Sequence, residues 1–231
     1  MAPEPPTGPL PEACLVLDFD GTILDTEEPL YRSWAELWAD HGHRLERADW
    51  QRNIGGADLF DPWAELEARL GRPLDPGLND RRRLRRDEIQ AREPLRSGVV
   101  DWLAQADALG MPVAVASSST HGWVDGRLQQ LGIRDRFSTL VCRSEEVPPK
   151  PEPTSYRVAC ARLGADPACS VAVEDSPNGV AAAVAAGLFT VAVPHPLTVD
   201  LDLSAAHLVV GSLDEVPLAY ALALAVSRRS S

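Results

Sequence analysis

Residues 14–31 read CLVLDFDGTILDTEEPLY. An apolar run meets two acids that flank one Phe, then Gly-Thr, then a second apolar pair and more acid. Strand side chains alternate, so Asp18 and Asp20 can share one side while Phe19 turns inward. Two ionised carboxylates this close repel, and burying either costs free energy unless a cation or hydrogen bonds compensate. The stretch reads as a buried strand ending at a charged site. Gly21 permits a sharp turn that presents backbone N–H groups.

Other segments share the same apolar character: PVAVAS (112–117), SVAVED (170–175) and FTVAV (189–193), with STLVC (138–142) and HLVV (207–210) as further candidates. Strands apolar on both faces imply a parallel sheet covered by helices. Helical spacing separates them. Val99, Leu103, Ala106 and Leu109 lead to Gly110, and Val124, Leu128 and Leu131 lead to Gly132. Tyr156, Ala159, Cys160 and Leu163 follow Pro153 and end at Gly164. Strand alternating with helix predicts an α/β fold, a doubly wound parallel sheet.

Between the first two strands lie about ninety residues without a strand, more than one crossover helix needs. Their periodicity predicts helices over roughly 27–41, 58–70 and 78–92. An inserted helical domain is therefore expected at 26–94, an α/β core at 14–25 and 95–231, and a flexible Pro-rich tail at 1–13.

The 231 residues suit one domain, or one domain with an insertion, and the 45% hydrophobic content supports a full core. Lys and Arg number 22 against 34 Asp and Glu, a net charge of −12. That balance argues against nucleic-acid or acidic-membrane binding. Cys14, Cys142, Cys160 and Cys169 show no CxxC spacing and read as reduced thiols of a cytoplasmic protein. The N-terminus lacks the pattern of a signal peptide, and VPLAYALALAV near the C-terminus is too short to span a bilayer.

Ligands of parallel α/β sheets bind beyond the carboxyl ends of the strands. Three strands turn polar there, at DFDGT (18–22), SSS (117–119) and EDSP (174–177). Asp18, Asp20, Glu174 and Asp175 would converge, which needs a hard divalent cation, commonly Mg²⁺. Lys150, in VPPKPEPTSY, is the only lysine in the chain. A cation there can neutralise the acids or a bound anion.

DFDGT, a serine after a hydrophobic strand, KPEP and VEDSPNGVAAAVAAG occur in that order over about residues 14–194. Together they resemble the haloacid dehalogenase-like phosphohydrolase superfamily. The subgroup resembled has a helical cap inserted after the first motif and includes sugar-phosphate phosphatases and β-phosphoglucomutase. The resemblance implies a Mg²⁺-dependent phosphatase that hydrolyses a small, sugar phosphate-like phosphomonoester through an aspartyl phosphate. It implies Asp18 as nucleophile and Asp20 as general acid and base. Asp18, the Asp20 carbonyl and Asp175 would hold the metal, with Glu174 directly or through water. Ser117 and Lys150 would bind phosphoryl oxygens, with the Gly21 and Thr22 N–H groups adding to the cradle.

NIGG (53–56) resembles the substrate-facing turn of the cap, which brings in Gly55 and Gly56. His121 follows the serines and can reach the pocket. Arg81, Arg82, Arg83, Arg85 and Arg86 read as a solvated helix face balanced by Asp80, Asp87 and Glu88. Trp34, Trp38 and Trp63 have core spacing. His41 and His43 have no cysteine partners and make a poor zinc site. The alternative enzyme is a phosphosugar mutase. That branch has a His where this chain has Leu30, and an Arg that Asn53-Ile54-Gly55 does not match. A reading of another class is a non-catalytic phosphate-binding or receiver-like protein, against which Asp20 counts. The expected partner is a small phosphorylated metabolite, with no nucleic acid or membrane, and the expected state is a monomer or weak dimer.

Overall fold

The computed structural model describes residues 12–52, 54 and 60–229. Its strands are β1 (Leu15–Leu17), β2 (Val113–Ser117), β3 (Thr139–Cys142), β4 (Val171–Glu174), β5 (Phe189–Ala192) and β6 (Leu208–Val209). They form one parallel sheet in the order β3-β2-β1-β4-β5-β6. Val16 pairs with Ala114 on one side and Ala172 on the other. The strand order thus reverses between β1 and β4, the place where open α/β sheets bind ligands. Every expected strand is present, a little shorter than its apolar run.

Alternation along β1 decides which helices cover it. Leu15 and Leu17 pack with α5 (Val99–Ala108), α6 (His121–Gln130) and α9 (Leu218–Arg229), through Trp102, Leu103, Leu128 and Leu222. Cys14 and Val16 pack with α7 (Thr154–Leu163) and α8 (Pro177–Ala185), through Tyr156, Ala159, Ala182 and Ala183. Both sheet faces are therefore dry, which explains the continuous apolar runs. Cys14, Cys142, Cys160 and Cys169 are buried, and none forms a disulfide. No helix among the described residues is long and apolar enough to cross a membrane.

Between β1 and α5 lie α1 (Glu27–Asp40), α2 (Arg47–Gln51), α3 (Pro62–Leu70) and α4 (Gly77–Gln90). They share an apolar cluster of Leu37, Trp38, Leu45, Trp50, Leu66 and Leu74, joined by Leu197 from the loop after β5. The helix expected from residue 58 begins only at Pro62, because Asp61 caps it. Its carboxylate accepts from the N–H groups of Trp63 at 2.9 Å and Ala64 at 3.1 Å. Residues 58 and 59 lie outside the described ones. The five residues of α2 carry a single buried side chain, Trp50, too few to display a helical period.

Two expectations change. The arginine run is not solvated throughout, since helical phase turns Arg82 inward. It lies 4.2 Å from the centre of the Trp34 ring and donates to Ser33 Oγ at 3.2 Å, while Arg81 and Arg83 face solvent. The tail is also tied in at its inner end. Ala13 is buried, and the Glu12 carbonyl accepts from the Asp166 N–H at 2.7 Å. Residues 1–11 lie outside the described ones.

Gly98 precedes α5 at φ +80°, where a Cβ would stand 2.6 Å from Leu213 Cβ and 2.7 Å from the Asp214 nitrogen. Left-handed strain and overpacking then act together. Gly98→Ala should destabilise the protein by about 3 kcal/mol, lowering Tm by roughly 6–12 °C in a thermal scan. A loss below about 0.5 kcal/mol would contradict this packing.

Candidate active site

Asp18 follows β1 on the parity of Cys14 and Val16, and its N–H still pairs with the Val173 carbonyl at 3.0 Å. It is buried at the β1–β4 junction. Lys150, also buried, donates Nζ to Asp18 Oδ1 and to Glu174 Oε1. The lysine is set in place by its own backbone N–H, which donates to Ser118 Oγ at 3.1 Å. Tyr156 on α7 donates its hydroxyl to Glu174 Oε1, and the Asp175 N–H donates to Glu174 Oε2 at 3.2 Å. Glu174 lies against the first turn of α8, where acids are favoured by the helix dipole. A Cβ on Gly179 would come within 1.9 Å of Glu174 Oε2, so only glycine leaves room for the carboxylate.

Burial pushes the Asp18 and Glu174 carboxyls above their usual range, with Lys150 opposing. Burial also works against the Lys150 charge, but Asp18 and Glu174 outweigh it and hold the ammonium proton more tightly than usual. Burial, reinforced by Glu174, raises the Tyr156 phenol well above its ordinary value and keeps it a donor.

Asp18, Glu174 and Asp175 each offer an oxygen within 4.8 Å of the others. Asp18 Oδ2 is buried and has no hydrogen-bond partner among the described residues. An orphaned, buried carboxylate oxygen among further acids is a costly arrangement alone. An all-oxygen donor set of this kind fits a hard divalent cation such as Mg²⁺.

The carboxylate of Asp20 stands apart from this group, so three side-chain acids converge rather than four. Asp20 sits in the turn beyond β1, where strand alternation no longer sets its direction. It accepts from Ser119 Oγ at 2.7 Å and Trp123 Nε1 at 3.0 Å, with Ser117 Oγ at 3.4 Å. Gly21 has φ +85°, and a Cβ there would lie 2.4 Å from Asp175 Oδ2. Its N–H was expected to serve a phosphate. Instead it donates to the Leu24 carbonyl at 2.8 Å and closes the turn. Thr22 Oγ1 donates to Asp175 Oδ1 at 3.3 Å.

Asp18, Asp20, Ser117, Lys150 and Asp175 line one cavity of about 480 Å³. Residues from the helical segment line it too, among them Leu30, Ile54, Arg86 and Gln90. Gly21, Thr22 and Glu174 do not. His121 opens α6 and is exposed, outside this cavity, whereas Trp123 comes round to line it. Asn53, Gly55 and Gly56 lie outside the described residues.

Three contributors escape the sequence reading. Trp123 holds Asp20, as given above. His195 is buried with Nε2 3.1 Å from Asp175 Oδ2, while its Nδ1 accepts from the Leu197 N–H at 3.3 Å. Arg96 donates to the carbonyls of Val193 at 3.1 Å, Pro194 at 2.8 Å and Gly21, joining the loops after β1 and β5. The strand-end rule, applied to β5 as well, would have found His195. Arg96 meets only backbone oxygens and leaves no signal in residue types.

Comparison with known proteins identifies the family. The model of the haloacid dehalogenase-like hydrolase family matches residues 13–187. YhcW of Bacillus subtilis (strain 168) is 39% identical over 185 residues, covering 80% of this chain and 84% of that protein. Hexitol phosphatase B of Escherichia coli (strain K12) is 29% identical, over 78% of this chain and 83% of its own. A crystal structure of mutant CbbY from Rhodobacter sphaeroides with xylulose 1,5-bisphosphate has a TM-score of 0.68 at 26% identity, covering 90% of this chain and 98% of that one. The family match runs from β1 through α8 and takes in every strand end that builds the cavity, so the chain belongs to the haloacid dehalogenase-like hydrolases.

Proposed function

We propose that the chain is a Mg²⁺-dependent phosphatase that hydrolyses a small, sugar phosphate-like phosphomonoester through an aspartyl phosphate on Asp18. The observation that carries this reading is the buried Asp18, paired with Lys150 on one oxygen and unpartnered on the other, in the cavity that Asp20 also lines. The named activity of hexitol phosphatase B and the sugar bisphosphate bound to the CbbY mutant support the substrate class.

Asp18 attacks phosphorus, and the bond from phosphorus to the leaving oxygen breaks. Asp20 gives that oxygen a proton. Asp20 then takes a proton from water as the water attacks the aspartyl phosphate, which releases phosphate and frees Asp18. Lys150 favours the ionised form of Asp18 against burial and orients it, and it faces the phosphoryl oxygens together with the Ser117 hydroxyl. Asp18, Asp175 and the Asp20 carbonyl would hold Mg²⁺, which when bound neutralises charge on the phosphoryl oxygens. Glu174, whose Oε1 accepts from Lys150 and Tyr156 and whose Oε2 accepts from the Asp175 N–H, acts through the lysine.

Residues 26–94 serve as the cap and 14–25 with 95–231 as the core, the cap excluding bulk water. Leu30 lines the cavity where the mutase branch has a histidine, which favours hydrolysis over phosphoryl shuttling. The Cys14 and Cys160 sulfurs share a hydrogen bond at 3.8 Å and no disulfide, which suits a reducing cytoplasm.

Asp18→Asn should lower phosphate release from a sugar-phosphate panel by at least ~10³-fold. A variant that keeps most of its activity refutes the nucleophile. Asp20→Asn should cost roughly 10²–10⁴-fold. Chelation should abolish turnover and added Mg²⁺ restore it. A sugar 1-phosphate should yield free phosphate; an isomerised sugar phosphate would mean the mutase.

Lys150→Met strands two buried acids, so in chelator at neutral pH it should lose about 3–5 kcal/mol. Asp18 and Glu174 have folded-state values above their unfolded ones, so the folded form holds protons that the unfolded form releases. Stability of the variant should therefore be greatest near pH 4 and fall as pH rises. Denaturant titrations across pH test this, and a loss independent of pH would contradict it.

A further inference from the structure

Two buried polar side chains line the cavity without being used by the phosphoryl chemistry. Thr26 is 7% exposed and its Oγ1 has no hydrogen-bond partner among the described residues. Gln90, at the end of α4, is 2% exposed and its Nε2 is likewise unpartnered. Glu27, the first residue of α1, lines the same cavity beside Thr26. Folded proteins pair nearly all buried polar groups, so two such orphans on one cavity wall point to a partner from outside the chain.

The chemistry of the wall narrows that partner. A hydroxyl and an amide can each donate and accept, and a carboxylate accepts. Neutral groups that both donate and accept are what vicinal hydroxyls match. Burial, with Asp20 and Asp175 adding, pushes the Glu27 carboxyl up to about 7, so near neutrality it can also donate. Leu30 and Ile54 supply an apolar surface suited to the C–H side of a carbon chain.

We infer that Thr26, Glu27 and Gln90 form a subsite that reads the hydroxyl groups of the substrate, which is a polyhydroxylated phosphomonoester such as an alditol or aldose phosphate. The inference rests on the phosphatase reading and deepens it by naming the side chains that set specificity.

The test compares sorbitol 6-phosphate, glucose 6-phosphate and p-nitrophenyl phosphate as probes, with Mg²⁺, for the wild type, Thr26→Val, Thr26→Ser and Gln90→Met. The readout is the ratio of kcat/KM for the better polyol probe to that for the aryl probe. This ratio should fall about 10-fold in Thr26→Val and in Gln90→Met, through KM for the polyol. Thr26→Ser keeps the hydroxyl and should retain the wild-type ratio, which separates hydrogen bonding from damage to the fold. An unchanged ratio in both Thr26→Val and Gln90→Met overturns the inference. So does a wild type that hydrolyses the aryl ester but neither polyol phosphate, an outcome that leaves the phosphomonoester hydrolysis itself intact. No phosphate release from any probe overturns both.

Discussion

One ammonium shared between two buried carboxylates governs the rest of the site. Lys150 is the only lysine in a chain of net charge −12, and it lies buried between Asp18 and Glu174 at the wall of the cavity. The three groups together still carry an excess of negative charge, and Asp175 adds to it. A phosphomonoester would bring more. Such a site binds its substrate well only when a further cation accompanies it, which is why the orphaned Asp18 oxygen and the metal requirement belong to one argument. The same crowding explains two glycines. Gly21 and Gly179 lie where a Cβ would strike Asp175 and Glu174, so both follow from carboxylates pressed against backbone.

Asp18 and Asp20 are two residues apart in sequence but in opposite surroundings, which suits different tasks. Asp18 is almost wholly buried where it meets the cavity, beside an ammonium. Asp20 lies among neutral donors on the cavity wall. The Trp123 indole can only donate and meets Asp20 Oδ1, whereas Oδ2 meets the Ser119 and Ser117 hydroxyls, which can turn from donating to accepting. The two oxygens of the proposed acid thus have different neighbours.

What the sequence conveys well is local and periodic. The sheet is legible because strands covered on both faces must be apolar throughout, and β1 shows it as Cys14-Leu15-Val16-Leu17. The site is legible in outline because polar residues concentrate where those runs end, and because Lys150 has no competitor. Directions beyond a strand end are not legible. Asp20 turns toward the serines, and the Gly21 N–H turns back to Leu24, through contacts fixed by the turn and by α6. The inward turn of Arg82 depends on where α1 packs, and nothing in a run of arginines distinguishes the one that meets Trp34.

The loop after β5 joins the two halves of the molecule in a way neither half specifies alone. His195 faces Asp175, and two residues later Leu197 is buried in the apolar cluster of the helical segment. The Leu197 carbonyl also accepts from Gln51 Nε2 of α2 at 2.9 Å. Arg96 holds the start of this loop through the carbonyls of Val193 and Pro194 and reaches the β1 turn at Gly21. A shift of α2 relative to the sheet must therefore break its contacts with Leu197 or pull on a loop whose other contacts are Asp175 and the β1 turn. Closely packed groups resist small strains and yield by discrete rearrangement. The position of the helical segment and the alignment of Asp175 are for that reason coupled mechanically, through four residues of loop and one arginine.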